Sequence, residues 1–456
     1  MRYLRADRPR YRALLDEAVL HREMGLPAVM SAQLGTIITC AAEDKVTVQV
    51  IPFNAAAHAG LGPAQGGVQK GDSPGSFISP MRHGREMITP PGLPPGCPPW
   101  LARPAARAWT CAPAPAAGAR AFHAGLPGYS PTPLTEVPAI ASELGVGRAF
   151  VKDESARMGL AAFKVLGASW AVHQVLSRRS AAGPVTLVAA TDGNHGRALA
   201  WMARLLGQRA HVFVPSGVHP AAVAAIAAEG AQVTEITGSY DDAIRLAAKA
   251  ASEPEAELVQ DAGWPGYEQV PGWIVDGYST LFAEVDEQLA AAGAASPALV
   301  VIPAGVGSLA QAGITHYRSR PGSAETSLLT VEPGSAACVL ASLVRGEPGT
   351  ITTGETIMAG LNCGTPSMLA WPFLRDGLDA AVAVANADAA AAARDLAGHG
   401  IPAGPCGGAS LAGVRAALTG EGAQPRRAAL ALGPDATVVL LSTEGAAANP
   451  LPTPRR

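Results

Sequence analysis

An α/β protein built on two open, twisted, mostly parallel sheets covered by helices is the fold that this sequence predicts. Three observations predict it. Short apolar runs at 185–190 (VTLVAA), 210–215 (AHVFVP), 232–237 (QVTEIT), 298–303 (ALVVIP), 327–333 (SLLTVEP) and 437–442 (TVVLLS) alternate with helical stretches. Runs that are apolar on both faces suit strands buried between helices, as in parallel sheets. Two of the runs pass directly into glycine-punctuated turns that open helices, ATDGNHG and PAGVGS, and 456 residues exceed one ordinary domain.

From the N-terminus, apolar residues at Leu14, Leu15, Val19, Leu20 and Met24 read as a helix. The alternating segment from Val46 to Phe53 reads as a strand. Residues 1–64 are therefore expected to form a small α/β fragment. Residues 65–120 contain PPGLPPGCPPW and CAPAPAAGAR, without periodicity, and are expected to be a linker without structure of its own. Residues 121–456 carry the strand-helix alternation, with a smaller subdomain expected at about 165–275, inserted in the larger one.

A net charge of −3 without long basic runs removes the electrostatic footprint of a nucleic-acid binder. No apolar run reaches the roughly eighteen uncharged residues of a membrane span, and the charged N-terminus lacks the apolar stretch of a signal peptide. A cytoplasmic protein acting on a small molecule is expected. The six cysteines are scattered, with no zinc-type spacing, so no metal site is expected.

Three short stretches carry chemistry. Lys164 stands among apolar residues in AFKVLG. Most such lysines keep their ammonium in water, but a desolvated one has a lowered pKa, and its neutral amine can form a Schiff base with an aldehyde. The second stretch, ATDGNHGRALA, follows the run 185–190 and opens a helix. It is either an ordinary turn or a place where helix N–H groups meet a substrate carboxylate. The third, PAGVGSLAQAG, follows the run 298–303; Gly305, Gly307 and Ser308 can cradle a phosphate monoester. It is neither a Walker loop nor a dinucleotide fingerprint, because Ala310 stands at the third glycine.

In this order, the three stretches resemble the fold-type II enzymes that use pyridoxal 5′-phosphate (PLP), the group of tryptophan synthase β and the serine/threonine dehydratases. Residues 126–155, 161–169, 190–201, 260–280, 303–312 and 356–367 look more narrowly like the diaminopropionate ammonia-lyase family. The resemblance implies two sheet domains with the cofactor between them, a homodimer, and α,β-elimination on 2,3-diaminopropionate to give pyruvate and ammonia. It implies that Lys164 holds PLP and acts as the base at Cα, with Phe163 beside the ring and Asn194 bonded to the 3′ oxygen. The loop Ala304, Gly305, Val306, Gly307 and Ser308 would hold the phosphate. Thr191, Asp192, Gly193 and His195 would face the substrate, a small amino acid.

Asp192 departs from the dehydratase pattern, where a small hydroxyl residue is usual. A carboxylate there suits a substrate with a second ammonium and an acid/base role, while capping of the following helix is the plain alternative. Cys406, in AGPCGGAS, takes the place of a serine that reaches the pyridine nitrogen in the family, and EGAAANP at 444–450 lacks two acidic residues of the family's version. Cys338 and Cys363 match family cysteines; two buried thiols are expected over a disulfide. A dehydratase or β-replacement synthase of the same fold, or a catalytically silent regulatory protein that binds PLP or an amino acid, are the alternative functions.

The front resembles part of a domain of unknown function that follows a helix-turn-helix in bacterial regulators, over residues 15–34 and 46–61. Either a regulator fragment is fused to the enzyme, or the coding start is placed too far upstream; the second is expected, since part of a domain rarely folds.

Overall fold

Seven strands form the larger of the sheets, in the order Trp100–Ala102, Ala380–Val384, Ser327–Pro333, Leu299–Pro303, Thr437–Ser442, Arg148–Asp153 and Leu134–Glu136. The computed structural model describes residues 11–16, 46–51, 90–113, 117–179, 183–191, 193–320 and 322–451. It divides into two compact units, Met1–Met81 and Arg82–Arg456.

In the first unit, β1 (Tyr11–Asp16) pairs in parallel with β2 (Val46–Ile51). The second strand is the one the sequence predicts. The helix predicted across Leu14 and Leu15 is corrected to a strand, because YRALLD fits a period of two as well as a helical period, and pairing with β2 decides between them. Val19, Leu20 and Met24 lie outside the described residues.

In the second unit, the large sheet contains β3 (Trp100–Ala102), β4 (Leu134–Glu136), β5 (Arg148–Asp153), β10 (Leu299–Pro303), β11 (Ser327–Pro333), β12 (Ala380–Val384) and β13 (Thr437–Ser442). The five central strands run parallel, and the two edge strands, β3 and β4, are antiparallel to their neighbours. The smaller sheet is wholly parallel, in the order β8-β7-β6-β9, from β6 (Thr186–Ala190), β7 (Arg209–Pro215), β8 (Gln232–Ile236) and β9 (Ala256–Leu258). Its strands fall between β5 and β10 in the chain. Strands β10 to β13 are buried along their whole length, which is why the sequence reads as near-continuous apolar runs at β10, β11 and β13.

The structureless linker expected over residues 65–120 is corrected in its second half. Trp100–Ala102 completes the edge of the large sheet, Pro104–Ala108 forms a 3-10 turn, and a helix spans Ala117–Ala124. No periodicity marks these residues, because their order comes from partners far along the chain. Ala383 donates its N–H to the Pro99 carbonyl at 2.9 Å, Arg103 donates its N–H to the Asp379 carbonyl at 2.6 Å, and the Arg107 guanidinium meets the Asp379 carboxylate at 3.1 Å.

Two features fix the segment that carries Lys164. The helix Lys164–Ser177 packs against the helix Gln269–Ala291 at glycines: a Cβ on Gly277 would lie 2.5 Å from the Leu166 carbonyl oxygen. Just upstream, four fully buried charges form a closed network. Arg157 bonds Glu154 and Glu284, each at 2.7 Å, and Lys152 bonds Glu284 at 2.6 Å and the Thr132 carbonyl at 2.7 Å. Their charges cancel, and each is hydrogen-bonded, which offsets the cost of taking it out of water.

Among the described residues no helix is long and apolar enough to cross a membrane. No group of three or more His, Cys, Asp or Glu side chains there is placed to hold a metal ion.

Candidate active site

Four parallel strands, two from each sheet, end at one cleft. Thr191 follows β6, Asp261 follows β9 closely, Ala304 follows β10, and Thr443 and Glu444 follow β13; all of them line a common cavity with Phe163, Lys164, Gly193, Asn194, His195, Tyr240, the loop to Ser308, Gly360, Cys363 and Cys406. Crevices at the carboxyl ends of strands are the usual ligand sites of open α/β sheets. The candidate residues that the sequence scatters over 163–406 are thus brought together. Asp192 lies outside the described residues, although its neighbours Thr191 and Gly193 both line the cavity.

Lys164 opens its helix, with Phe163 pinned in front of it. Phe163 donates its N–H to the Thr443 carbonyl at 3.2 Å, Ala162 bridges to Glu444, and the Phe163 ring packs on Tyr278 at 4.8 Å between centroids. The Lys164 ammonium lies 2.6 Å from Oδ2 of Asp261 and 5.5 Å from the Phe163 ring centroid. Burial acts to lower the pKa of this lysine, but the facing carboxylate outweighs it and holds the ammonium above its ordinary range. The lowered pKa expected from desolvation is corrected on that account. Burial likewise acts to raise the pKa of Asp261, and Lys164 outweighs it, so the carboxylate stays ionised. Oδ1 of Asp261 accepts from the Tyr240 hydroxyl at 3.2 Å and from Gln260 Nε2 at 3.1 Å, which orients the pair.

The turn after β6 is a built helix start. Thr191 is buried, and its Oγ1 accepts from the N–H groups of Gly193 at 3.0 Å and Gly196 at 3.1 Å. His195 is buried with Nε2 2.6 Å from the Val259 carbonyl, while its Nδ1 has no hydrogen-bond partner among the described residues. Burial lowers its pKa, which favours the neutral ring. Asn194 directs Nδ2 to Glu444 Oε2 at 2.6 Å.

Across the cleft, Gly307 is the N-cap of the helix Ser308–Arg318 at φ 97°, and no side chain caps the first turn. Its backbone N–H groups therefore remain available to an anion. Side chains would fill this loop: a Cβ on Gly305 would lie 2.9 Å from Cys363 Sγ, and one on Gly307 would lie 2.7 Å from a Leu374 methyl. The Ser308 hydroxyl donates to the Asp261 carbonyl at 3.0 Å, which ties this loop to the residue facing Lys164. Cys338 and Cys363 are both buried, and the Cys338 thiol bonds the Gly305 carbonyl at 3.6 Å.

Cys406 reaches the cavity, but its thiol is already engaged. It bonds the carboxyl group of Glu444, and burial raises the pKa of both groups. Sequence reasoning assigned no role to Asp261, Glu444 or Tyr240. Asp261 and Glu444 follow the ends of β9 and β13, so the strand-end rule is the signal that finds them; Tyr240 offers no such signal.

Comparison with known proteins agrees with this geometry. A family model described as pyridoxal-phosphate dependent enzyme matches residues 126–444, and a domain of unknown function matches residues 1–66. The chain is 36% identical to a diaminopropionate ammonia-lyase of Escherichia coli over 350 residues, 72% of this chain and 87% of that protein. It is 39% identical to the protein of the same name from Salmonella typhimurium over 278 residues, 56% and 69% of the two chains. The crystal structure of the Escherichia coli enzyme in complex with an aminoacrylate-PLP azomethine reaction intermediate aligns with a TM-score of 0.67 at 36% identity, covering 72% of this chain and 88% of that one.

Proposed function

The chain belongs to the pyridoxal-phosphate-dependent enzyme family, and on that premise we propose that it is an ammonia-lyase that converts 2,3-diaminopropionate to pyruvate and ammonia. One observation carries the reading: Lys164, the uncapped glycine loop 304–308 and Asn194 meet in one cleft between two sheets. The residues fit the cofactor. The first-turn N–H groups of the helix Ser308–Arg318, which the N-cap Gly307 leaves without a side-chain cap, suit a phosphate group, and the Lys164 side chain, 19% exposed, supplies the amine at the other end.

Bound PLP supplies an electron sink that makes the substrate Cα proton acidic. Lys164 would hold the cofactor through Nζ, and its free amine would take the substrate Cα proton. Asp261 stabilises the ammonium so formed at 2.6 Å. The Ala304–Ser308 loop anchors the phosphate, Asn194 bonds the ring oxygen, and Thr191, Gly193 and His195 form the wall that receives the substrate. A neutral amine leaves poorly from a carbanion, so the β-amino group needs a proton. Asp192, between two cavity residues, is the group assigned to it. Loss of that amine and hydrolysis of the released enamine by one water give pyruvate and two ammonia molecules.

The proposal extends to a cytoplasmic homodimer whose catalytic region has a smaller subdomain at about 165–275. Sedimentation of the purified protein tests the dimer. Activity is tested by assaying pyruvate from diaminopropionate, serine and threonine with PLP-saturated protein. Diaminopropionate is expected to be the preferred substrate, with turnover and the cofactor absorption band both lost in Lys164→Ala. Preference for serine or threonine would make the protein a dehydratase, and no turnover of any of the three would end the lyase reading.

A further inference from the structure

Polar groups of the cleft converge on the carboxyl group of Glu444, which is 2% exposed. Its Oε2 accepts from Asn194 Nδ2 at 2.6 Å, and its Oε1 accepts from the Cys406 N–H at 3.3 Å and from Asn449 Nδ2 at 3.2 Å. Gly360 packs beside them. A Cβ there would lie 3.5 Å from Cys406 Sγ, 3.8 Å from Glu444 Oε2 and 4.0 Å from Asn194 Nδ2. The backbone holds Glu444 in place: it bridges to Ala162, two residues before Lys164, and its carbonyl accepts the Gly404 N–H at 2.9 Å.

An asparagine amide can offer a ligand either its oxygen or its nitrogen, and a half-turn about its last torsion exchanges them. Here the choice is made by chemistry. The Cys406 backbone N–H is a donor in any case, and Asn449 Nδ2 is fixed as one by the Ile357 carbonyl at 2.8 Å; both favour the carboxylate, and toward a carboxylate Oε2 the atom that Asn194 turns is Nδ2. The second N–H of that nitrogen is left for the cleft. Resting on the PLP reading above, we propose that Glu444 is a positioning residue that fixes the amide orientation of Asn194, so that Asn194 donates a hydrogen bond to the ring oxygen of the cofactor. A donor there favours the anionic form of that oxygen, whereas a flipped amide would favour its protonated form.

Glu444→Gln tests this, because it keeps the size of the side chain and puts an NH2 group in place of one of the two oxygens that accept from the three donors. The holoenzyme is compared by the wavelength of the cofactor–lysine absorption band and by the dissociation constant for PLP. The expected result is a displaced band and about tenfold weaker cofactor binding, the loss of roughly one hydrogen bond to a charged group. In an Asn194→Ala background the same substitution is expected to add nothing. Glu444→Asp, which keeps the acceptor one methylene short, is expected to fall between wild type and Gln, and it remains informative if the Gln variant does not fold. An unchanged band and affinity in Glu444→Gln, or effects that add in full to those of Asn194→Ala, overturn the inference alone. A wild-type protein that forms no band dependent on Lys164 overturns the PLP reading and this inference with it.

Discussion

Lys164 Nζ and Asp261 Oδ2 lie 2.6 Å apart, although 97 residues separate them in the chain. The contact joins the first residue of the helix Lys164–Ser177 to the loop beyond β9, and Asp261 passes it on to the glycine loop, because its own carbonyl accepts from Ser308. The lysine proposed to hold the cofactor and the loop proposed to hold its phosphate are therefore tied to one residue.

Removing that carboxylate changes how the lysine titrates. Only the neutral amine condenses with an aldehyde, and Asp261 raises the Lys164 pKa against the lowering effect of burial. In Asp261→Asn burial is left to dominate, so the pH at which cofactor loading reaches half its maximal rate is expected to fall by about one unit or more. The rate at which the absorption band appears after PLP is added, measured across pH, checks this. An unchanged profile would mean that the pair does not control the lysine.

Asp192→Asn is expected to lower kcat on diaminopropionate by about a hundredfold, the size of a lost general acid, and to leave PLP affinity close to wild type. Steady-state kinetics with a cofactor titration separate the two effects. A variant with full activity would return Asp192 to a helix-capping role.

Gly305→Ala and Gly307→Ala place a methyl group 2.9 Å from Cys363 Sγ and 2.7 Å from Leu374. Gly307 also requires φ 97°, which alanine adopts at a cost. Both variants are expected to weaken PLP binding at least about tenfold, with Gly307→Ala also losing about 1–2 kcal/mol of stability. Equilibrium dialysis and denaturant unfolding read the two effects.

Arg157→Met is expected to cost about 3–5 kcal/mol, because it leaves Glu154 and Glu284 buried with less positive charge than negative. Urea unfolding measures the loss.

Asp276 provides a pH test of stability. Burial raises its pKa from 3.8 to about 6, so folding favours the protonated acid, and the native state loses stability as pH rises through that interval. Asp276→Asn removes the loss. It is expected to be more stable than wild type by about 1 kcal/mol at pH 8, after allowance for a side chain in partial contact with water, and to gain much less at pH 4. Thermal unfolding at the two pH values checks the sign.

The seven strands read from the sequence are matched by β2, β6, β7, β8, β10, β11 and β13, each marked by an apolar run or an alternating pattern next to turn signals. β5 went unread because charged residues at both ends of RAFVKD leave only three apolar ones. β12 went unread because AAVAV, followed by NADAAAAARDLAG, looks like the start of an alanine-rich helix. β3, β4 and β9 have three residues each, too few to show a period. Their pairing with neighbours, which no local pattern records, makes them strands. The same reasoning applies to the site. Lys164, Asn194 and the loop 304–308 follow or open elements with clear local signatures, whereas Asp261 and Glu444 carry none beyond their position just past strand ends.

By itself the sequence determined the α/β architecture, because burial on both faces and glycine turns before helices are local patterns, and its resemblance to a known family gave the cofactor class and Lys164 as the lysine proposed to hold it. Tertiary structure alone decided the ionisation of that lysine and the orientation of Asn194. Both depend on a carboxyl group brought from far along the chain, by 97 residues to Lys164 and by 250 to Asn194, into a desolvated cleft where one charge or acceptor at hydrogen-bond distance outweighs the burial around it.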